Sequence, residues 1–130
     1  TWFVRHLPPG DHPAFYAGSR LTLNVTRRDM AATGWCPSGR LFEATACGCP
    51  VLTDIWPGLD AFFEPGRDLL TARTTDDALA ALDVSDAELQ RIGQAGRERT
   101  LADHTSDRRA GELITLLQSV YDRAPAAAEA

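Results

Sequence analysis

The sequence predicts an α/β domain, a doubly wound parallel sheet with helices at the C-terminal end, on three observations. Residues 37–54, Pro37-Ser38-Gly39-Arg40-Leu41-Phe42-Glu43-Ala44-Thr45-Ala46-Cys47-Gly48-Cys49-Pro50-Val51-Leu52-Thr53-Asp54, hold a helix start, a glycine stop and an apolar strand in one short stretch. Strand-like runs before it, Leu21-Thr22-Leu23-Asn24-Val25, and after it, Asp68-Leu69-Leu70-Thr71, make strands and helices alternate. Ala110, Leu113, Ile114, Leu117 and Tyr121 then recur at spacings of three and four, which is one apolar stripe of a terminal helix.

The elements follow in order. Trp2-Phe3-Val4-Arg5 reads as a strand already under way, with no initiator Met and no leader, so the chain is expected to be a fragment. A Pro8-Pro9-Gly10-Asp11 turn leads into a short amphipathic helix over about 12–18. The strand at 21–25 is followed by a polar loop from Thr26 to Pro37, long enough to be functional above a sheet. Arg27 and Arg28 fall at that strand's carboxyl end, the side where ligands of parallel sheets gather. Asn24 reads as a hydrogen-bonding anchor rather than a catalyst. Beyond Asp54, two Pro-Gly pairs punctuate an aromatic stretch to Arg67, giving a turn, a short helix and another turn. Trp56, just past a strand end, is placed either to stack on a nucleobase and line a sugar pocket or to pack in the core. Thr74-Thr75-Asp76-Asp77 caps a helix to about Leu82, and Ser85-Asp86-Ala87-Glu88 is a capping box for another to about Ala102. The tail from Pro125 to Ala130 is expected to be disordered.

The helix that starts at residues 38–41 carries the chemistry. Ser38 is a good N-cap, Gly39 leaves the first-turn amides unobstructed, and the positive end of the helix dipole favours an anion there. Glu43 lies about one turn further on, placed to accept hydrogen bonds from neutral hydroxyls of a ligand whose phosphates sit on the helix start. A ribose diol fits that description. Leu41, Phe42, Ala44, Ala46 and Cys47 make the helix apolar around much of its circumference, so a carboxylate in it needs a partner.

This signature resembles the donor-binding segment of GT-B glycosyltransferases, in which Glu-Ala, a short helix and Cys-Gly-x-Pro-Val close the sugar-nucleotide site. It is most similar to the family 1/family 4-like group that includes CgeB-type spore-maturation proteins. Residues 12–27, His12-Pro13-Ala14-Phe15-Tyr16 through Arg27, and residues 56–66, Trp56-Pro57-Gly58 through Gly66, resemble the flanking segments of that group. The similarity runs over residues 2–123 and implies that residues 1–123 are a partial, Rossmann-like, C-terminal GT-B domain. One or two further βα units and an acceptor-binding N-terminal domain would precede it, and the final helix would pack towards that other domain. The resemblance implies transfer of a hexosyl group from a nucleoside-diphosphate sugar, with Glu43 on the ribose hydroxyls and the amides around Gly39, Arg40 and Leu41 on the diphosphate. It also implies a metal-independent reaction in which helix dipoles and basic side chains manage the leaving group, consistent with the lack of an Asp-x-Asp motif. Where many members carry a glutamate eight positions before the ribose-binding one, this chain has Trp35. The basic pair that neutralises the diphosphate in this superfamily has no clear counterpart, and Arg27, Arg28 and Arg40 are the substitutes. No catalytic base is assigned, and the isolated fragment is expected to be inactive. The different-class alternative is a noncatalytic, degenerate GT-B module with an assembly or regulatory role, motivated by Trp35.

Composition bounds the rest. At 130 residues and 44% hydrophobic, the chain forms one domain and is short of a complete two-domain enzyme. A net charge of −5 argues against nucleic acid as a partner, because phosphate-backbone binding needs a basic face. All 13 basic residues are Arg, which excludes Schiff-base chemistry and a P-loop lysine. No apolar run approaches the roughly 18–20 residues that span a bilayer. Cys36, Cys47 and Cys49 leave at least one thiol unpaired, which fits a reducing, cytoplasmic setting. Cys47-x-Cys49 lacks the spacing of a metal site and has no nearby His, so no metal is expected. Of His6, His12 and His104, none has a companion at triad or metal spacing, and His6, at a strand end, is the candidate to watch. No Gly-x-Gly-x-x-Gly follows a strand, which removes a dinucleotide-dependent oxidoreductase.

Overall fold

The computed structural model describes residues 7–123. The expected strand at 2–5, His6 and the tail from residue 124 lie outside the described residues. A 3-10 turn at Pro9–Asp11 enters α1 (His12–Ala17), followed by β1 (Thr22–Asn24), α2 (Arg28–Thr33), α3 (Gly39–Ala46) and β2 (Val51–Asp54). A 3-10 turn at Leu59–Ala61 precedes β3 (Leu70–Ala72), and α4 (Thr75–Leu82), α5 (Asp86–Asp103) and α6 (Ser106–Arg123) complete the domain. The three strands form one parallel sheet in the order β1-β2-β3, with Thr22 opposite Val51 and Leu52 opposite Leu70. Helices flank this sheet, so the expected α/β, Rossmann-like architecture is the observed one.

Local chemistry explains most of the boundaries. Ser38 caps α3 by accepting from the Arg40 amide at 3.3 Å, and Gly48, at φ +75°, turns the chain out of it towards β2. Thr74 and Asp77 form a complete capping box on α4. At α5 only half of the expected box exists: Ser85 accepts from the Glu88 amide, but the Glu88 carboxylate turns outward to Arg91 at 2.7 Å. The segment read as a loop from Thr26 to Pro37 contains α2. Its sequence lacks an apolar stripe, but Arg, Met and Ala are good helix formers and Gly34, at φ +68°, ends the element. The final helix forms over 106–123 as its stripe predicts, with Leu113, Ile114, Leu117 and Tyr121 exposed.

The core lies between the sheet, α1 and α3. Leu41, Ala44, Val51, Phe63 and Leu69 have no exposed surface, and Trp56 and Leu59 join them at 4% and 2%. Helix α5 closes against α3 through small residues. A Cβ added at Gly93 would stand 2.3 Å from the Gly48 carbonyl oxygen, and one at Gly96 would stand 2.5 Å from that of Asp68. The hydroxyls of Thr45 and Thr100 meet across the same interface at 2.6 Å. Gly93 thus lets α5 lie on the turn that links α3 to β2, and Gly96 lets it lie on the backbone just before β3.

Gly93→Ala is expected to destabilise the domain by about 1–3 kcal/mol in denaturant unfolding, because backbone rather than a movable side chain occupies the space. Gly111→Ala on α6, with open space around it, is expected to stabilise by about 0.5–1 kcal/mol, the helix-propensity difference alone. Burial, and then the neighbouring Cys47, push the Cys49 thiol up to about 11. At pH 8 only roughly one Cys49 in a thousand would be thiolate. Iodoacetamide at that pH should leave Cys49 unlabelled in the native protein and label it after unfolding, as peptide mass spectrometry would read.

Candidate functional site

The start of α3 and the carboxyl ends of β1 and β2 form the candidate site. A cross-strand network fixes that edge of the sheet. Asn24 Nδ2 donates to Thr53 Oγ1 at 3.0 Å, and Asp54 Oδ1 accepts from both the Thr26 amide at 2.8 Å and the Thr26 hydroxyl at 2.9 Å. Asn24 and Thr53 are 1% exposed, so their bond is shielded from water, and with the partly buried Thr26–Asp54 bonds it holds the exit of β1 against the end of β2. Asn24 therefore anchors the edge, as its residue type suggests.

At the helix start, the amides are not equally available. The Leu41 amide bonds to the Ser38 carbonyl at 3.1 Å, and the Arg40 amide makes the long bond to Ser38 Oγ at 3.3 Å. Gly39 carries the uncommitted donor of this turn among the described residues. The Leu41 side chain is fully buried, so this residue serves the core more than the site.

Glu43 leans back towards the helix start, as side chains on a helix do. A Cβ on Gly39 would lie 3.7 Å from Glu43 Oε1, and the other carboxylate oxygen stands 3.4 Å from His12 Nδ1. The Nε2 of the same imidazole lies 3.1 Å from the Leu7 carbonyl oxygen. His12 thus stands beside Glu43, whose side chain at 53% exposure is met by solvent as well, so the partner expected of a carboxylate on an apolar helix is not needed for burial. Pro9, His12, Pro13, Tyr16, Glu43 and Cys47 line a groove of about 310 Å³ beside it. Burial, followed by the Glu43 carboxylate, pushes the Tyr16 phenol above its ordinary range, while the Arg40 guanidinium nearby pulls the other way. His12 and Tyr16 are the site residues that sequence reasoning missed; their place on one face of the helix at 12–18, four residues apart, was the available signal.

The remaining expected site residues separate. Ser38, Gly39, Arg40 and Glu43 come together on α3. Arg27 is exposed at the N-cap of α2, where its carbonyl accepts from the Ala31 amide, and none of its hydrogen bonds reaches α3. Of the two places expected for Trp56, it takes the core: it is 4% exposed, beside Phe62 at 6.1 Å between ring centroids. Its buried Nε1 has no acceptor among the described residues. His104 is structural. Its Nε2 lies 2.8 Å from the Phe62 carbonyl oxygen, and its ring packs against Phe42 and Phe63.

Among the described residues, no group of three or more His, Cys, Asp or Glu side chains is placed to hold a metal ion. No described helix is long and apolar enough to cross a membrane.

Comparison with known proteins bears on the fold and the family. The chain superposes on a sucrose-phosphate synthase from Thermosynechococcus elongatus with a TM-score of 0.65 at 20% identity, over 83% of this chain and 27% of that one. At that identity the likeness carries the fold, and the chain spans about a quarter of the length of that protein. No curated protein sequence matches the chain significantly. The family model described as "Glycosyl transferase-like" matches residues 1–115. With a parallel sheet, a capped helix start at its carboxyl edge and a match over most of its length, the chain belongs to the glycosyl transferase-like family.

Proposed function

We propose that this domain is the donor-binding half of a GT-B glycosyltransferase that takes a nucleoside-diphosphate sugar and passes the sugar, a hexosyl group, to an acceptor held by another domain of the full-length chain. The observation that carries this reading is the arrangement on α3: an uncommitted amide at Gly39 and, one turn on, a carboxylate turned back to the same side. A diphosphate at the helix start accepts from the Gly39 amide and gains from the dipole, and it draws in the Arg40 amide, whose present bond to Ser38 is long. Ribose hydroxyls then donate to Glu43, with His12 steadying its second oxygen.

Positive charge for the leaving diphosphate comes from Arg40, without a metal ion. Arg suits this because its planar fork matches phosphate oxygens. Trp56 supports the site from below as part of the core. The resemblance of the flanking segments at 12–27 and 56–66 supports a CgeB-type relationship, and three free cysteines suit a cytoplasmic enzyme.

The test is calorimetric titration of the full-length protein with UDP, GDP and their sugar conjugates, beside a Glu43→Ala variant. Loss of the ribose contacts should weaken binding by about 1.5–3 kcal/mol, roughly 10- to 150-fold, the scale of hydrogen bonds to a charged group. Failure of the wild type to bind any nucleotide would contradict the donor reading and favour the noncatalytic module, for which Trp35 is the motivating residue.

A further inference from the structure

Glu43 and His12 meet across two helices although burial forces neither to find a partner, since their side chains are 53% and 31% exposed. The contacts on the imidazole are specific. Its Nε2 lies 3.1 Å from the Leu7 carbonyl oxygen, and its Nδ1 lies 3.4 Å from Glu43 Oε2. A carbonyl oxygen and an ionised carboxylate only accept hydrogen bonds. A neutral imidazole carries a single N–H and satisfies one of them, which leaves the lone pair of its other nitrogen against an acceptor. The imidazolium donates to both at once. The arrangement is therefore complete only when His12 holds its second proton.

The ring is seated for this. It meets Tyr16 edge-on at 6.0 Å between centroids, one helical turn along α1, and Tyr16 is itself 7% exposed. Because a carboxylate is planar, a contact that fixes Oε2 also fixes where Oε1 points. Oε1 lies on the Gly39 side, 3.7 Å from where a Cβ on that residue would stand. The titratable and charged groups around the imidazole, besides Glu43, are Tyr16 and the adjoining Asp11 on its own segment, with Cys47 and Arg40 on α3. Cys47 shares the groove with His12 and Glu43, while Arg40 and Glu43 both act on the Tyr16 phenol. Glu43 is the anion that Nδ1 touches, so the second proton of His12 acts first on Glu43.

We propose that His12 is a proton-linked positioning residue for Glu43: as an imidazolium it clamps the carboxylate with Oε1 turned towards the start of α3, and on losing its proton it releases the carboxylate to solvent. The role rests on the donor reading for what Glu43 holds. A clamped carboxylate has less freedom to lose when hydroxyls dock on it, so the domain binds nucleotide sugars more tightly below the range in which histidine titrates than above it.

Calorimetric titration of the full-length protein with UDP-glucose and GDP-mannose, at about pH 5.5 and about pH 8, tests the clamp, because the diphosphate diester of a nucleotide sugar does not titrate across the histidine range. The wild type should bind about 2- to 5-fold more tightly at the lower pH, the scale of an exposed ion pair. His12→Ala should bind at both pH values as weakly as the wild type does at the higher one. Equal wild-type affinity at the two pH values, tighter binding at the higher one, or a pH dependence that His12→Ala retains overturns the proposal. Nitrogen NMR of the labelled imidazole gives a second readout that needs no ligand. At the lower pH, Glu43→Ala should move the Nδ1 signal of His12 and leave the Nε2 signal, which reports the Leu7 contact, in place. An Nδ1 signal indifferent to Glu43→Ala overturns the clamp. Absence of binding by the wild type to either nucleotide sugar and to UDP and GDP removes the donor reading instead, and the Nδ1 signal alone then decides for or against the clamp.

Discussion

The immobility of α3 is the constraint on which the rest of the structure depends. An amide at a helix start binds an anion usefully only if it does not have to be ordered at the moment of binding. On one side Leu41 and Ala44 are fully buried against the sheet; on the other, Thr45 meets Thr100 at 2.6 Å and Gly93 lets α5 ride on the Gly48 carbonyl. The helix is therefore clamped between two layers, and its N-terminus is the end left open. The Asn24–Thr53 and Thr26–Asp54 bonds do the same for the strand ends beside it. A site built in this way takes its precision from the scaffold rather than from the loops.

The parts of the fold that could be read from the chain are those fixed by neighbours in sequence. Ser38 before Gly39, Gly48 after Cys47, and Thr74 ahead of Asp77 each satisfy backbone groups within a few residues, so cap and stop chemistry located α3 and α4 closely. Helix α2 was hidden because six residues with no apolar stripe leave no periodic signal, although Gly34 ends it locally. A non-local rule governs Trp56. Its position just past a strand left stacking and core packing both open, and only its tertiary packing, with Phe62 among its neighbours, puts it in the core.

Within the candidate site, the division is similar. Residues 38–43 could be assigned because their relation is one helical turn. The pairing of Glu43 with His12 joins two helices across 31 positions, and the seating of Trp35 on Gly58 joins two loops, so neither contact had a local signature. Both contacts lie at the edge where the parallel strands end.

The most direct test of the donor-site account is a crystal structure of the full-length protein with a bound nucleoside-diphosphate sugar. The account predicts a diphosphate oxygen within hydrogen-bonding distance of the Gly39 amide and both ribose hydroxyls on the Glu43 carboxylate. A nucleotide bound elsewhere, with Glu43 still facing only His12 and solvent, would contradict it.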